Sequence, residues 1–194
     1  MRPHISVCIP VYQGAPTLAA TLRSVLASEN ADFEVVIRDN GSTDGTSGVV
    51  AGFDDPRIRY IRSEGTLPLP ANWRATIGQA RGELIKVLCA DDLISPDCLA
   101  SQAALLKDPT VALVACRRNF IDGNGDVLNR NAGLPGLLGR HGVSEVARKA
   151  VRFGINPVGE PACVMFRRRD YDAIGGFDGA IVFAMDIDAW LRIL

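Results

Sequence analysis

The sequence predicts an α/β fold in which helices flank one open, mixed and mostly parallel β-sheet. Strand-like and helix-like segments alternate along the first part of the chain, as expected for parallel strands joined by helices. The first strand-like run is almost continuously apolar, which is typical of a strand buried on both faces. Polar residues follow several of the apolar runs. With 194 residues, the chain is long enough for one domain with a sizeable core.

The first part of the chain carries the clearest alternation. Residues 5–11 are rich in β-branched side chains, and in the next segment Leu18, Leu22 and Val25 recur at helical spacing. Continuing in this way, the pattern predicts strands over 5–11, 33–38, 58–61 and 83–88, with helices over 17–28, from 42 or 43, and over 72–80. Each predicted strand is followed by a helix, so the strands should run in the same direction.

The second part of the chain has weaker periodicity. Ser95 and Pro96 predict a helix start, with Ser95 as N-cap and Pro96 in the first helical position. A buried strand over 111–116 precedes a hairpin turn at 122–126. The glycine-rich segment 133–142 has the composition of a mobile loop. A helix over 144–153 and a strand over 163–166 follow, and the arginines at 167–169 are interpreted as a solvated helix start.

Composition excludes several classes of protein. The formal net charge is -1 and the hydrophobic fraction is 47%, so the basic surface of a nucleic-acid-binding protein is not expected. The cysteines are scattered and predict free thiols in a reducing cytoplasm. No apolar run approaches the ~20 residues of a membrane span. Residues 187–194 read as an apolar helix without a stop signal, so we expect a missing C-terminal segment through which the protein could associate peripherally with a membrane.

Polar side chains stand at the ends of three predicted strands. Tyr12 follows the first strand, Asp39 and Asn40 follow the second, and Asp91 and Asp92 follow the fourth. Ligands of open α/β sheets bind at the carboxyl ends of the strands. The sequence therefore predicts a nucleotide site at this edge of the sheet.

Adjacent carboxylates at Asp91 and Asp92 suit a hard divalent cation, which prefers oxygen ligands and bridges to phosphate. Taken alone, the pair favours a structural interpretation in which the aspartates cap the next helix or face water. The segment 39–46 can likewise be a tight turn and helix cap, because Asn, Asp, Gly and Ser are common turn formers.

The order of the motifs is more specific than any one of them. Residues 9–13 read IPVYQ, residues 39–46 read DNGSTDGT, and residues 80–83 read ARGE ahead of the aspartate pair. Near the other end, residues 175–178 read GGFD and residues 186–192 read DIDAWLR. This order resembles the family 2 glycosyltransferases with the GT-A fold, and the resemblance spans nearly the whole chain.

The resemblance implies a donor site for a nucleotide sugar. The backbone around Pro10 and the ring of Tyr12 would line the base pocket. Asp39 and Asn40 stand where the family usually has two aspartates, the later of which accepts a hydrogen bond from uracil. An asparagine oxygen can still accept from an imide N–H, so a UDP-sugar remains the expected donor, with Asp39 sharing the role.

The resemblance also implies a metal site and a catalytic base. Asp91 would contact ribose or a metal-bound water, and Asp92 would bind Mn²⁺ or Mg²⁺. Asp186 falls at the position of the general base, with Met185 in place of the usual glutamate. Asp188 should point elsewhere if both aspartates are helical. The alternative for Asp186 is stabilisation of a helix N-terminus.

The implied reaction is a single displacement that inverts the anomeric centre. The acceptor would be a saccharide or a lipid-linked sugar. We expect one GT-A domain over 1–194, with a nucleotide-binding part over about 1–116 and an acceptor-side part over about 117–194. A non-catalytic nucleotide-sugar-binding module stays open as an alternative, and so does a sugar-phosphate nucleotidyltransferase, although the loop after the first strand lacks the lysine such an enzyme needs.

Overall fold

The structure is a computed structural model that describes residues 2–194, so that Met1 of the predicted domain lies outside the described residues. The strands are β1 (Ile5–Val11), β2 (Phe33–Asp39), β3 (Ile58–Arg62), β4 (Leu84–Val87), β5 (Leu113–Ala115), β6 (Arg118–Ile121), β7 (Val127–Ala132) and β8 (Val164–Arg167). The α-helices are α1 (Leu18–Leu26), α2 (Thr46–Ala51), α3 (Leu69–Gly78), α4 (Cys98–Leu105), α5 (Val143–Phe153), α6 (Arg168–Ala173) and α7 (Met185–Ile193). Short 3₁₀ helices span Pro161–Cys163 and Val182–Ala184.

The main sheet has six strands in the order β3-β2-β1-β4-β8-β5, and β6 pairs with β7 as a separate hairpin. Strands β3, β2, β1 and β4 are parallel, whereas β8 is antiparallel to both β4 and β5. The predicted mixed, mostly parallel sheet is therefore confirmed. Because β1, β2 and β4 are parallel, the residues that follow them emerge at the same edge.

Both faces of the sheet are covered, which explains the continuous apolar run in β1. Val7 and Ile9 belong to one apolar cluster together with Leu18 and Leu22 of α1. Between them in sequence, Cys8 points into a second cluster on the opposite face. Successive strand residues alternate between faces, so a strand covered on both sides needs apolar residues at every position.

Pro10 lies inside the central strand β1, a position that proline usually avoids because it cannot donate to the ladder. The carbonyl oxygen of Cys8 accepts from the Leu88 N–H, so the backbone polar groups of Cys8 face β4. Residues two apart on a strand face the same way, and the backbone of Pro10 therefore faces β4 as well. Pairing with β4 ends at Cys8. At Pro10 the hydrogen-bond ladder between β1 and β4 has already ended, so the lack of an N–H group on Pro10 costs no hydrogen bond.

An aromatic cluster holds the C-terminal helix against the sheet. The Phe177 ring lies 5.7 Å from Trp73, 5.3 Å from Tyr171 and 6.0 Å from Trp190, measured between centroids. Trp190 also donates its indole N–H to the carbonyl oxygen of Gly159 at 3.1 Å. This packing sets where helix α7, and therefore Asp186, lies relative to the sheet.

Several helix starts differ by more than one residue from their predicted positions. Helix α3 begins at Leu69, three residues before the predicted start at 72. Helix α4 begins at Cys98, because the Ser95 hydroxyl donates to the Asp97 carboxylate at 2.6 Å instead of capping the helix. Helix α2 begins at Thr46, after Gly45 has turned the chain with a φ of 92°. The residues before α2 thus form a turn, as the composition of 39–46 allowed.

Two other expectations are corrected by burial. Arg167 is only 4% exposed, and its guanidinium donates to the carbonyl oxygens of Leu106, Val111 and Asp108, so it anchors the chain before β5 and is not solvated. Within the glycine-rich loop, the side chains of Leu134 and Leu137 are buried in the second cluster. Apolar contacts therefore hold part of a loop that composition alone described as mobile.

The thiols of the five cysteines are all free, as expected. Among residues 2–194, no helix has the length and apolar character that a membrane crossing requires.

Candidate functional site

The loops that follow β1 and β2 are bonded to each other. The Gln13 backbone N–H donates to the Ser42 hydroxyl at 2.9 Å, and the Gln13 side-chain oxygen accepts from the Thr43 N–H at 2.9 Å. One residue on, the Gly14 N–H donates to the Thr46 hydroxyl at 3.0 Å. The loop holds Tyr12 at its surface, where the side chain is 55% exposed. Tyr12 is therefore available to a ligand and is not a core residue.

Asp39 lies at the end of β2 but inside the protein. Its side chain has no exposed surface, and its carboxylate accepts from the Ser42 N–H at 2.8 Å and from the Tyr60 hydroxyl at 2.5 Å. Arg62 lies 3.8 Å from the same carboxylate. Burial, and then the hydrogen bond to Asp39, raise the pKa of Tyr60 to about 12. Asp39 thus organises the end of β2 from within.

Asn40 is also engaged internally. Its amide nitrogen donates to the Leu67 carbonyl oxygen at 2.9 Å, and its amide oxygen accepts from the Leu67 N–H at 2.8 Å. The Asn40 amide therefore forms two hydrogen bonds with the backbone of Leu67, as a neighbouring strand residue could. These bonds hold the segment before α3 against the sheet. A part for Asp39 and Asn40 in donor binding stays a prediction.

Asp91 and Asp92 lie beyond the end of β4, close to the thiol of Cys89. One ligand atom from each of these residues lies within 4.8 Å of the other two. Helix α1 supports the loop, because the Thr21 hydroxyl donates to the Ala90 carbonyl oxygen at 2.8 Å and the Ser24 hydroxyl accepts from the Ile94 N–H at 3.2 Å. The three side chains form a compact group on a braced loop.

The electrostatics of this group favour a cation. Burial, and then the charges of Asp91 and Glu160, raise the pKa of Asp92. Burial, and then the charges of Asp92 and Asp91, raise the pKa of the Cys89 thiol. No basic side chain among residues 2–194 forms an ion pair with Asp91 or Asp92. A divalent cation would neutralise this charge, and the oxygen donors suit such an ion.

The charge of Glu160, in the distant segment before β8, contributes to the raised pKa of Asp92, and sequence reasoning missed this residue. Its carboxylate is paired with the Arg118 guanidinium at 2.7 Å and 2.8 Å. No motif marks Glu160 in the sequence, because its charge acts on Asp92 only once β8 has paired with β4.

Asp186, in the first turn of α7, is held by an asparagine that sequence reasoning also missed. The Asn156 amide donates to Asp186 at 2.8 Å and to the Gly159 carbonyl oxygen at 2.9 Å. The Asn156 oxygen accepts from the N–H groups of Val158 and Gly159. Asp186 is half-buried, and its partner Asn156 lies in the segment that leads to Glu160 and β8.

Asp188 has a different partner. Its carboxylate accepts two hydrogen bonds from Arg192, at 2.9 Å and 2.6 Å. Arg192 also donates to the carbonyl oxygens of Ile174 and Gly176. As expected for residues two apart on a helix, Asp186 and Asp188 point in different directions, and Asp188 serves the glycine turn before α7.

A surface cavity of about 800 Å³ lies at the opposite end of the sheet. Its lining includes His4, just before β1, and Gly82 and Glu83, just before β4. It therefore lies at the other end of β4 from Asp91 and Asp92. The candidate site is therefore identified by the polar residues at the strand ends and by their contacts, and not by the size of a cavity.

The chain matches the family model described as Glycosyl transferase family 2 over residues 6–175. An uncharacterized protein of Mycobacterium tuberculosis is 33% identical over 201 residues, covering 100% of this chain and 62% of the relative. The Escherichia coli UDP-Glc:alpha-D-GlcNAc-diphosphoundecaprenol beta-1,3-glucosyltransferase WfgD is 26% identical, over 66% of this chain and 48% of the relative. The chain thus spans less than two thirds of the length of these relatives.

Two solved structures have a similar fold. The mannosyltransferase PcManGT from Pyrobaculum calidifontis, in complex with GDP-Man and Mn²⁺, has a TM-score of 0.65 at 22% identity, over 92% of this chain and 48% of that chain. S. aureus TarS 1-349 in complex with UDP-GlcNAc has a TM-score of 0.72 at 18% identity, over 92% and 49%. Together with the family match over most of its length, the fold places this chain in glycosyl transferase family 2, with the GT-A fold.

Proposed function

We propose that this chain is the nucleotide-sugar-binding and catalytic domain of an inverting, metal-dependent glycosyltransferase. The observation that carries the proposal is the pair Asp91 and Asp92, which lies beyond the end of β4 beside Cys89 and has no ion-pair partner among residues 2–194. Asp186, which Asn156 holds in the first turn of α7, is the carboxylate proposed to act on the acceptor. A cation at the aspartate pair would serve the leaving diphosphate, and the Asp186 carboxylate would serve the attacking hydroxyl.

The proposed donor is a UDP-sugar. The exposed ring of Tyr12 and the backbone around Pro10 would form one side of the base pocket, with the segment fixed by Asp39 and Asn40 beside it. The complex of TarS with UDP-GlcNAc supports a uracil nucleotide. Because Asn40 pairs with Leu67, it would reach the base only through the second lone pair of its oxygen.

The proposed cofactor is Mn²⁺ or Mg²⁺, held by Asp91 and Asp92. Their carboxylates are the hard oxygen ligands that such ions prefer. When bound, the ion would supply charge neutralisation for the departing diphosphate. The Mn²⁺ in the complex of PcManGT supports this assignment.

The proposed base is Asp186. Its carboxylate would remove the proton of the acceptor hydroxyl while that oxygen attacks the anomeric carbon, and one in-line attack inverts the centre. The Asn156 amide holds one carboxylate oxygen in place. An acceptor that is a saccharide or a lipid-linked sugar is proposed, the latter supported by the undecaprenol-linked substrate in the name of WfgD.

We further propose that donor binding belongs to about 1–116 and acceptor binding to about 117–194, in a cytoplasmic protein. The donor-side aspartates lie at the ends of β2 and β4. Asp186 and its Asn156 partner lie in the later part of the chain.

The test uses the full-length protein with a panel of nucleotide sugars and either Mn²⁺ or Mg²⁺. We expect one UDP-sugar to raise the thermal midpoint in a metal-dependent way and to be transferred with inversion, as read by NMR of the product. Stabilisation without transfer would favour a non-catalytic nucleotide-sugar-binding module. Stabilisation by sugar phosphates and nucleoside triphosphates instead would favour a nucleotidyltransferase.

A variant at the metal site sharpens this test. Asp92→Ala should abolish metal-dependent binding of UDP, as measured by calorimetry with Mn²⁺, and leave the fold intact, because a half-buried side chain on a loop contributes little to packing. Asp54→Ala, an exposed carboxylate on a different loop, is the matched control. If Asp92→Ala binds UDP and Mn²⁺ as tightly as the parent, the metal assignment is wrong.

A further inference from the structure

We infer that the thiol of Cys89 is a third ligand at the proposed metal site, and that it shifts the preference of the site from Mg²⁺ toward thiophilic ions such as Co²⁺ and Zn²⁺. The inference rests on the proposed metal site at Asp91 and Asp92. It concerns a residue outside the aspartate pair and the chemical selectivity that this residue confers.

The geometry brings the sulfur to the two carboxylates. One ligand atom each from Cys89, Asp91 and Asp92 lies within 4.8 Å of the others. With metal–sulfur bonds of about 2.3 Å and metal–oxygen bonds of about 2.0–2.2 Å, ligand atoms around one ion lie about 3.5 Å apart. Small side-chain rotations on one short loop would close the difference.

The backbone supports the group as a unit. The Asp92 N–H donates to the Cys89 carbonyl oxygen at 3.1 Å, and this turn places the first and last members of the group on the same side. The Thr21 hydroxyl holds the residue between them, Ala90. All three donors therefore come from one turn that α1 braces.

The other thiols of the chain have different surroundings. Cys8 is buried in the core, Cys98 has the Gln102 side chain as its partner at 3.7 Å, and Cys116 donates to the Cys163 carbonyl oxygen at 3.3 Å. Among residues 2–194, only Cys89 shares a compact group with two carboxylates. This contrast separates a candidate ligand from thiols that serve packing.

The chemistry of sulfur predicts the selectivity. Thiolate is a soft ligand that favours Zn²⁺ and other later ions, whereas Mg²⁺ takes oxygen ligands and keeps several waters. Binding of an ion through sulfur would release the thiol proton of Cys89 to the solvent. Because Cys89, Asp91 and Asp92 offer three ligand atoms, a bound ion would still be able to take oxygen ligands from the diphosphate of the donor.

The test is a titration of the protein with Co²⁺ in the presence of UDP, because thiolate bound to Co²⁺ produces an intense near-ultraviolet charge-transfer band. We expect the band in the parent, its loss in Cys89→Ser, and its retention in Cys98→Ser, which removes a half-buried thiol outside the group. The affinity of Cys89→Ser for Co²⁺ should fall at least ~10-fold, the low end for disturbing a metal site.

A second variant keeps the inference open to refutation if Cys89→Ser folds poorly. Cys89→Asp replaces sulfur with oxygen, so its ratio of Mg²⁺ to Co²⁺ affinity should rise at least ~10-fold over that of the parent. Co²⁺ binding without the band, or a band that survives in Cys89→Ser, would overturn the role of Cys89 and leave the proposed function intact. Failure of the parent to bind Co²⁺, Mn²⁺ and Mg²⁺ with UDP would overturn both.

Discussion

The proposed nucleotide side and the proposed acceptor side of this molecule are built in different ways. On the proposed nucleotide side, about residues 1–116, buried parallel strands carry the polar residues to one edge. On the acceptor side, residues 117–194, the hairpin of β6 and β7 is largely exposed. There, side chains bonded to distant backbone groups position the candidate base.

The same residue type therefore does different work in the two regions. Asp39, at the end of β2, accepts internal hydrogen bonds, whereas Asp91 and Asp92, beyond the end of β4, form no ion pair among residues 2–194. On the acceptor side, Asp188 is bound by Arg192, and Asp186 is held by Asn156. A strand-end or helix-start aspartate becomes a candidate for chemistry only when its partners leave it accessible.

The largest expected effect concerns Asp39, where a change should act on stability. Asp39→Ala leaves the Ser42 N–H and the Tyr60 hydroxyl without their acceptor, so the free energy of unfolding should fall by about 3 kcal/mol, at about 1–3 kcal/mol for each buried donor. Urea denaturation measures the change, with Asp54→Ala as the exposed control. If the variant keeps the stability of the parent but loses UDP binding, Asp39 contacts the nucleotide. The contrast between Asp39 and the pair Asp91 and Asp92 would then be wrong.

The next effect concerns Asp186, where a change should act on rate. In the full-length enzyme, Asp186→Asn keeps the shape but loses the base, so transfer should slow at least ~100-fold with unchanged donor affinity. Steady-state kinetics and calorimetry with UDP separate the two quantities. Asp188→Asn is the matched comparison, and near-parental transfer by Asp186→Asn would move the base elsewhere. Joint loss of donor binding and thermal stability would mark Asp186 as a helix cap.

A smaller effect is expected at Arg192, whose guanidinium donates to the turn after α6. Arg192→Ala removes hydrogen bonds to Asp188, Ile174 and Gly176, and the free energy of unfolding should fall by about 1–2 kcal/mol, since the guanidinium is partly solvated. The exposed Arg169→Ala is the control. Equal stability of the two variants would mean that the acceptor side does not depend on such bonds.

The smallest effect is a pH dependence at His141. The hydrogen bond to Glu145, followed by that to the Leu138 carbonyl oxygen, raises the pKa of His141 above its usual value. The stabilisation of the fold by protonated His141 should be fully present below about pH 6.5, the ordinary pKa of histidine. It should be lost as the pH rises through the higher pKa of His141 in the folded protein. Thermal unfolding across this range should show a shallower pH dependence for His141→Gln than for the parent. His4→Gln is the control, and an unchanged slope in His141→Gln would contradict the expectation.

Local signals in the sequence determined most of the nucleotide side. The apolar runs of β1, β2 and β4 predict buried strands because each residue on a doubly covered strand meets a core. The polar residues after those runs predict the edge of the sheet where Tyr12, Asp91 and Asp92 are found. Helix starts were less well predicted, because Ser95 bonds to Asp97, and Gly45 turns the chain before α2.

Tertiary structure alone decided how these pieces meet. Strand β8 enters the sheet between β4 and β5, and the segment before it carries Glu160, whose charge acts on Asp92. Asn40 finds Leu67, and Asp186 finds Asn156, across separations of 27 and 30 residues. Such hydrogen bonds leave no periodic pattern in the sequence, because either partner would read as an ordinary polar loop residue until folding places the other beside it.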